Sequence, residues 1–210
     1  MTGGRLTFSR LVDPYGKLMD DALALYEQAI PARERKSAAA IRRMAAEGPH
    51  HIVAALDPAG LVGFYVLSLG NMISLLEYMA VDEERRGAGV GAQLYNHARQ
   101  AAGRRPLLVE VDSDLEPSPD QDIRARRISF YRRLGCRRLI GLDYRMPLPG
   151  FEPAPSMALL VDGLPEAEEV LASQVEGWLI DIYEAGYQAP PNHPLLRLMR
   201  RSLPPRVRLG

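Results

Sequence analysis

Apolar residues recur at helical spacing over "YGKLMDDALALYEQAI", where Leu18, Ala22, Leu25, Tyr26 and Ala29 share one stripe and Pro31 ends the run. Before it, "RLTFSRLV" reads as an opening strand. After it, "AAAIRRMAAEG" predicts a second helix, closed by Gly48 and Pro49. Three short strand patterns follow: "HHIVAALD", "LVGFYVLSLG" and "MISLLEYMAV". The turn over Asp57 to Gly60 makes the first two a hairpin. Next come a glycine-rich stretch, a helix from about Val90 to Ala102, the apolar strand "PLLVEV", an acidic loop and a helix through "RARRISFYRRLG". Strands near "CRRLIGLDY" and "SMALLVDG" complete the series. This order predicts a mixed sheet whose middle is a strand, helix, strand crossover, a connection that is right-handed and parallel.

Further on, "PEAEEVLASQVEGWLIDIYEAGY" places Leu171, Val175, Trp178, Leu179, Ile182 and Tyr183 on a stripe wide enough to need a partner surface. The stripe is expected to dock on the sheet domain or across a homodimer. The closing "QAPPNHPLLRLMRRSLPPRVRLG" holds five arginines and no acid and reads as a solvated basic tail. The expected division is therefore a domain over 1–162 and a helical extension with a basic tail over 163–210.

Composition narrows the function. A chain of 210 residues that is 47% hydrophobic buries one core of ordinary size, or one with an appendage. Its 26 basic and 26 acidic residues cancel, which removes any whole-chain electrostatic reason to expect nucleic acid or an anionic membrane as partner. Lys17 and Lys36 are the only lysines. With the single cysteine Cys136 no intramolecular disulfide forms, and a buried small hydrophobe is the reading for it. No apolar run approaches the length of a membrane span, so a cytoplasmic protein is expected. His50 and His51 lack further ligands at metal-binding spacing, so no metal is assigned.

The chemistry concentrates in "RRGAGVG", Arg85 to Gly91, between a strand pattern and a helix pattern. A Walker loop would need Lys and then Ser or Thr after the last glycine, where Ala92 and Gln93 stand instead. The dinucleotide fingerprint is matched by Gly87, Gly89 and Ala92, with Glu110 and Asp112 about twenty residues on. Its first glycine, however, must turn directly off the strand, and "DEERR" separates Val81 from Gly87. A third cradle keeps that spacer and uses Arg86, Gly89 and Gly91. Its glycines let the backbone close on a pyrophosphate, helical N–H groups donate to it, and the arginine adds a charge-assisted donor.

On the stretch "EYMAVDEERRGAGVGAQLY" the chain resembles the GNAT superfamily of N-acetyltransferases, at that family's acyl-coenzyme A pyrophosphate motif. A second block, "RRISFYRRLGCRRL", is similar to the later motif in which a tyrosine precedes a glycine by four residues, here Tyr131 and Gly135. At two places the block departs from the family, with Arg124 for an asparagine and Cys136 for a phenylalanine. The resemblance covers Arg5 to Asp162 in element order. It implies an α/β (α+β) fold with a mixed, largely antiparallel central sheet, helices on both faces and a C-terminal helical extension. It also implies acetyl transfer from acetyl-CoA, as co-substrate, to a primary amine of a small molecule or peptide by direct attack. Met79, Ala80, Val81, Arg86, Gly87, Ala88, Gly89, Val90, Gly91 and Ala92 would then bind the cofactor.

Direct attack calls for a base and an acid. Alternation puts Glu77 on the face of Ile73, Leu75, Met79 and Val81, where an apolar setting would raise a carboxylate's pKa. Glu110, on the strand after the motif helix, is the second candidate, and Tyr131 matches the family's proton donor. The acids Asp112, Asp114, Glu116, Asp120 and Asp122 either form a solvated loop capping the next helix or attract a cationic amine. A non-catalytic coenzyme A-binding protein and a dinucleotide-dependent oxidoreductase are the alternatives.

Overall fold

The computed structural model describes residues 6–115, 117–147 and 156–210. The elements run β1 (Thr7–Arg10), α1 (Lys17–Ala29), α2 (Ala38–Ala46), β2 (His50–Asp57), β3 (Gly60–Leu69), β4 (Ser74–Val81), α3 (Val90–Ala102), β5 (Leu107–Asp112) and α4 (Gln121–Arg133). They continue with β6 (Arg137–Ile140), β7 (Tyr144–Arg145), β8 (Ser156–Asp162), β9 (Glu169–Leu171), α5 (Ala172–Tyr187), α6 (Pro194–Ser202) and β10 (Arg206–Leu209). Single 3-10 turns at Ala32–Glu34 and Glu83–Arg85 precede α2 and α3. The fold is mixed α/β with a largely antiparallel sheet. The chain forms two compact units, Met1–Leu69 with Leu76–Gly103, and Gly70–Leu75 with Arg104–Gly210.

In the first unit β2 pairs antiparallel with both β1 and β3. The β2–β3 turn forms because the Asp57 carboxylate accepts the N–H groups of Ala59 at 2.8 Å and Gly60 at 3.1 Å, and only glycine readily adopts the φ of 132° that Gly60 takes there. Ser37 caps α2 by accepting the Ala40 N–H. Alternation along β3 then serves two layers. Phe64 and Val66 join Met19, Leu23 and Tyr26 of α1 and Ile41 and Met44 of α2 in one core, while Gly63 and Tyr65 face α3. A Cβ on Gly63 would come within 2.7 Å of the Ala80 carbonyl and 2.8 Å of Leu94, so its hydrogen lets α3 sit close on the sheet.

In the second unit β8 pairs antiparallel with β5, β6 and β7, and β10 pairs with β6 and β9. Its core joins Leu108, Leu139, Tyr144, Leu159 and Val161 to α5 and α6. The apolar stripe foreseen along α5 is buried here through Val175, Trp178, Leu179, Ile182 and Tyr183, so it docks within its own chain. Leu171 departs from it, ending β9 with half its surface exposed. The segment after α5 is not a bare tail. Pro194 opens α6 at a position where the missing N–H costs nothing, His193 caps it, and Val207 of β10 is fully buried. The pattern "CRRLIGLDY" also divides, because Gly141 at φ 82° turns the chain between β6 and β7.

Asp181 of α5 is a buried carboxylate with a defined task. It accepts the backbone N–H groups of Asn71 at 3.0 Å, Met72 at 2.7 Å and Ile73 at 3.0 Å, gathering the turn that leads into β4. Gly70 beside it leaves no room for a Cβ against that carboxylate. Replacing Asp181 with Ala strands the buried Ile73 N–H and breaks two part-buried bonds, and is expected to cost about 3 kcal/mol, read as a lowered thermal midpoint. Gly70→Ala is expected to destabilise through the same contact, and an unchanged midpoint in both variants would contradict the assignment.

Candidate active site

The glycine loop lies in the first unit and is shaped before any ligand arrives. Asp82 caps the 3-10 turn through the Glu84 N–H at 2.9 Å, and Arg85 reaches back to Asp57 at 3.1 Å. Gly87 and Gly89 both take φ 81°, a left-handed conformation costly for residues with a Cβ, and nothing among the described residues stands within 4 Å of where a Cβ would be. Gly89 is the N-cap of α3 and brings no side-chain acceptor, so the first-turn N–H groups are left to an outside partner. Arg86 to Gly89 are exposed, whereas Val90 is buried and anchors the helix start. Arg86 meets the exposed Glu83 at 3.4 Å, a contact of little energetic weight that leaves the guanidinium available to an anion. These features fit a pyrophosphate cradle.

On β4 in the same unit Ala80 is buried, while Met79 and Val81 are half-buried. Glu77, two residues earlier, does not have the apolar surroundings that alternation alone predicts. Lys36, from the connection between α1 and α2, forms an ion pair with its Oε2, and Ser68 donates its hydroxyl to Oε1. The β2–β3 register places His50 opposite Ser68, which brings its Nε2 to 3.7 Å from Glu77 Oε1. With its side chain only 5% exposed, Glu77 is a buried charge compensated by a cation and a donor. Sequence reading missed Lys36, His50 and Ser68 as its partners. The scarcity of lysine was the one signal pointing to Lys36.

The connection carrying Lys36 is itself held. The Tyr26 hydroxyl accepts the Lys36 N–H at 2.8 Å and donates to the Lys36 carbonyl at 3.3 Å, and the Tyr78 hydroxyl donates to the Glu34 carbonyl at 2.9 Å. Burial pushes the Tyr78 phenol well up, and the neighbouring Tyr26 adds to the shift. The Lys36 ammonium stands 5.9 Å from the Tyr78 ring centroid.

Glu110 and Tyr131 belong to the second unit. Glu110, on β5, receives the hydroxyl of Tyr144 from β7 and, at 2.6 Å, that of Tyr187 from the end of α5. Tyr131 is buried on α4, with burial pushing its phenol upward, Arg127 pulling it down and Cys136 adding to the rise. Cys136 is buried too. The acids after β5 are mostly matched by arginines: Asp112 by Arg127 at 3.1 Å, Asp114 by Arg138 at 2.6 Å and Asp120 by Arg124 at 3.2 Å. The Ser118 hydroxyl and Arg124 hold the Asp120 carboxyl below its usual range. These pairs offset three of the five acids, and Glu116 lies outside the described residues. Among the described residues no group of three or more His, Cys, Asp or Glu side chains could hold a metal ion, and no helix is long and apolar enough to cross a membrane.

Residues 47–137 match the family model of the acetyltransferase (GNAT) domain. Solved structures share the fold. A putative GNAT-family acetyltransferase from Bacteroides thetaiotaomicron is 22% identical with a TM-score of 0.72, over 86% of this chain and 98% of that one. An aminoglycoside 6'-N-acetyltransferase complexed with coenzyme A is 18% identical with a TM-score of 0.58, over 77% and 99%. The ribosomal-protein-S18-alanine N-acetyltransferase from Escherichia coli is 16% identical with a TM-score of 0.55, over 78% and 96%. No curated protein matches the chain.

Two expectations follow. Gly89→Ala puts a Cβ into a left-handed residue with open space around it, so it should cost about 1 kcal/mol in chemical denaturation without unfolding the chain. Tyr65, Tyr131 and Tyr183 are each raised by burial above the 10.0 of a free phenol, and Tyr144 likewise. Their folded forms keep the proton after the unfolded chain has begun to lose it. Stability should accordingly hold up to about pH 10 and fall as pH rises further, and a denaturant midpoint flat above pH 10 would refute this.

Proposed function

We propose that the chain is an N-acetyltransferase that moves the acetyl group of acetyl-CoA to a primary amine of a small molecule or peptide. The observation that carries this reading is the glycine loop, with left-handed Gly87 and Gly89 ahead of an uncapped α3, inside the stretch that matches the GNAT domain. The coenzyme A bound to the matched aminoglycoside acetyltransferase supports the choice of co-substrate. The transferase domain is taken as 1–162, with 163–210 as its extension.

The roles follow from chemistry. Backbone N–H groups over Gly87, Ala88, Gly89, Val90, Gly91 and Ala92, with Arg86, bind the pyrophosphate. Backbone of Met79, Ala80 and Val81 orients the thioester. An ammonium cannot attack, so a carboxylate takes its proton, Glu77 being the first choice and Glu110 the second. The amine nitrogen bonds to the carbonyl carbon, the carbon–sulfur bond breaks, and Tyr131 protonates the departing thiolate. Tyr131 carries its proton at neutral pH as that task requires, while burial makes its phenol a weaker acid than a free one.

A second reading has its own observation. Both candidate bases are engaged, Glu77 by Lys36 and Glu110 by two tyrosines, as befits a protein that binds coenzyme A without turnover. Thermal stability with acetyl-CoA, coenzyme A and NAD in parallel, followed by thiol release with an amine panel, separates the cases. At about a hundred times its Kd, acetyl-CoA should add roughly 2.7 kcal/mol of stability, lost in an Arg86→Ala, Gly89→Val double variant. Tyr131→Phe and Glu77→Gln should each lower kcat by roughly 10²-fold. Stabilisation without thiol release favours the second reading, and stabilisation by NAD alone overturns both.

A further inference from the structure

We propose that Lys36 is a self-acetylation site, the chain's own amine held where an acceptor amine is deprotonated. The inference rests on the acetyl-transfer reading above. Lys36 presents a primary amine directly to the Glu77 carboxylate, and its side chain is 25% exposed against 5% for Glu77. It is delivered there by construction. The Tyr26 hydroxyl grips both the N–H and the carbonyl of Lys36, and the Tyr78 hydroxyl holds the carbonyl of Glu34 two residues earlier. Fixing the backbone on the acceptor side confines the ammonium to the proposed base and lowers the entropy cost of bringing it there.

Residues two apart on a strand share a face and stand about 7 Å from each other. The amine held at Glu77 therefore stands near Met79 along the strand assigned to orient the thioester, on the side where Lys36 also meets the Tyr78 ring. The reaction balances without any other reagent. Glu77 takes one proton from the Lys36 ammonium, the freed nitrogen bonds to the thioester carbonyl carbon, and the carbon–sulfur bond breaks. Coenzyme A leaves as the thiol, and Lys36 becomes a neutral amide. Glu77 thereby loses its ion-pair partner and becomes open to the ammonium of an external acceptor. Self-acetylation would thus relieve the engagement of Glu77 by Lys36.

The sequence supplies its own control, because Lys17 is the only other lysine. It is 86% exposed and pairs with Asp21 one helical turn on. Uncatalysed acetylation favours the exposed amine, whereas acetylation directed by the site favours the half-covered one. The test incubates the full chain with acetyl-CoA and no acceptor, then measures peptide masses over time. One acetyl group is expected on the Lys36 peptide, at a rate unchanged by diluting the protein, with Lys17 slower by roughly tenfold or more. Lys36→Arg should abolish the label and Glu77→Gln should slow it. Labelling of Lys17 as fast as Lys36, or a rate that falls with dilution, would overturn the proposal. So would an unlabelled Lys36 in a protein that acetyl-CoA stabilises and that releases thiol with an external amine, an outcome that leaves the acetyl-transfer reading standing. Absence of any stabilisation by acetyl-CoA removes that reading and this inference together.

Discussion

A carboxylate taken almost wholly out of water has to be compensated, and around Glu77 that requirement organises part of the first unit. Lys36 supplies the opposite charge, Ser68 a hydroxyl, and His50 a third polar neighbour at 3.7 Å. Each comes from a different element: the connection between α1 and α2, the end of β3 and the start of β2. Satisfying one side chain therefore draws three segments toward one strand. Tyr26 and Tyr78 hold the same connection through its backbone, so the arrangement does not depend on the long lysine side chain alone.

The second unit meets the same requirement differently. Asp181 is buried and compensated by three backbone N–H groups rather than by a cation, which pins α5 to the turn before β4. Glu110 receives two tyrosine hydroxyls, one of them from the end of α5. Both contacts make the C-terminal segment part of the unit's packing. Trp178, Leu179 and Ile182, essentially inaccessible to water, contribute about 1.5–3 kcal/mol each on burial and set the scale against which the polar contacts act.

The loop and the carboxylates carry different information. The proposed phosphate cradle needs backbone geometry, which left-handed Gly87 and Gly89 and the uncapped start of α3 supply. An acceptor site needs side chains from distant elements, and the likeness to solved structures between 16% and 22% identical is one of fold. Acceptor choice is accordingly the feature of this chain that the family likeness leaves most open.

Much of the architecture was legible in the order of residues. The hairpin at Asp57 to Gly60, the helix from Val90 to Ala102, the strand at Leu107 and the buried stripe of α5 all appear where periodicity and turn residues place them. Such elements depend on contacts a few residues apart, or on one face needing cover, and both leave a local pattern. The short strands β9 and β10 left none, because strands of 3 and 4 residues acquire their pairing from neighbours remote in sequence. Nor did the order of residues say which arginines would meet Asp112, Asp114 and Asp120. Alternation marked Glu77 as facing the core of its strand, but it could not say what the core would bring. Sequence by itself determined the longer elements and the glycine loop, whose physics is local. Only the tertiary structure decided the surroundings of Glu77 and Glu110, since a buried charge is compensated by whichever groups the fold carries to it across tens of residues.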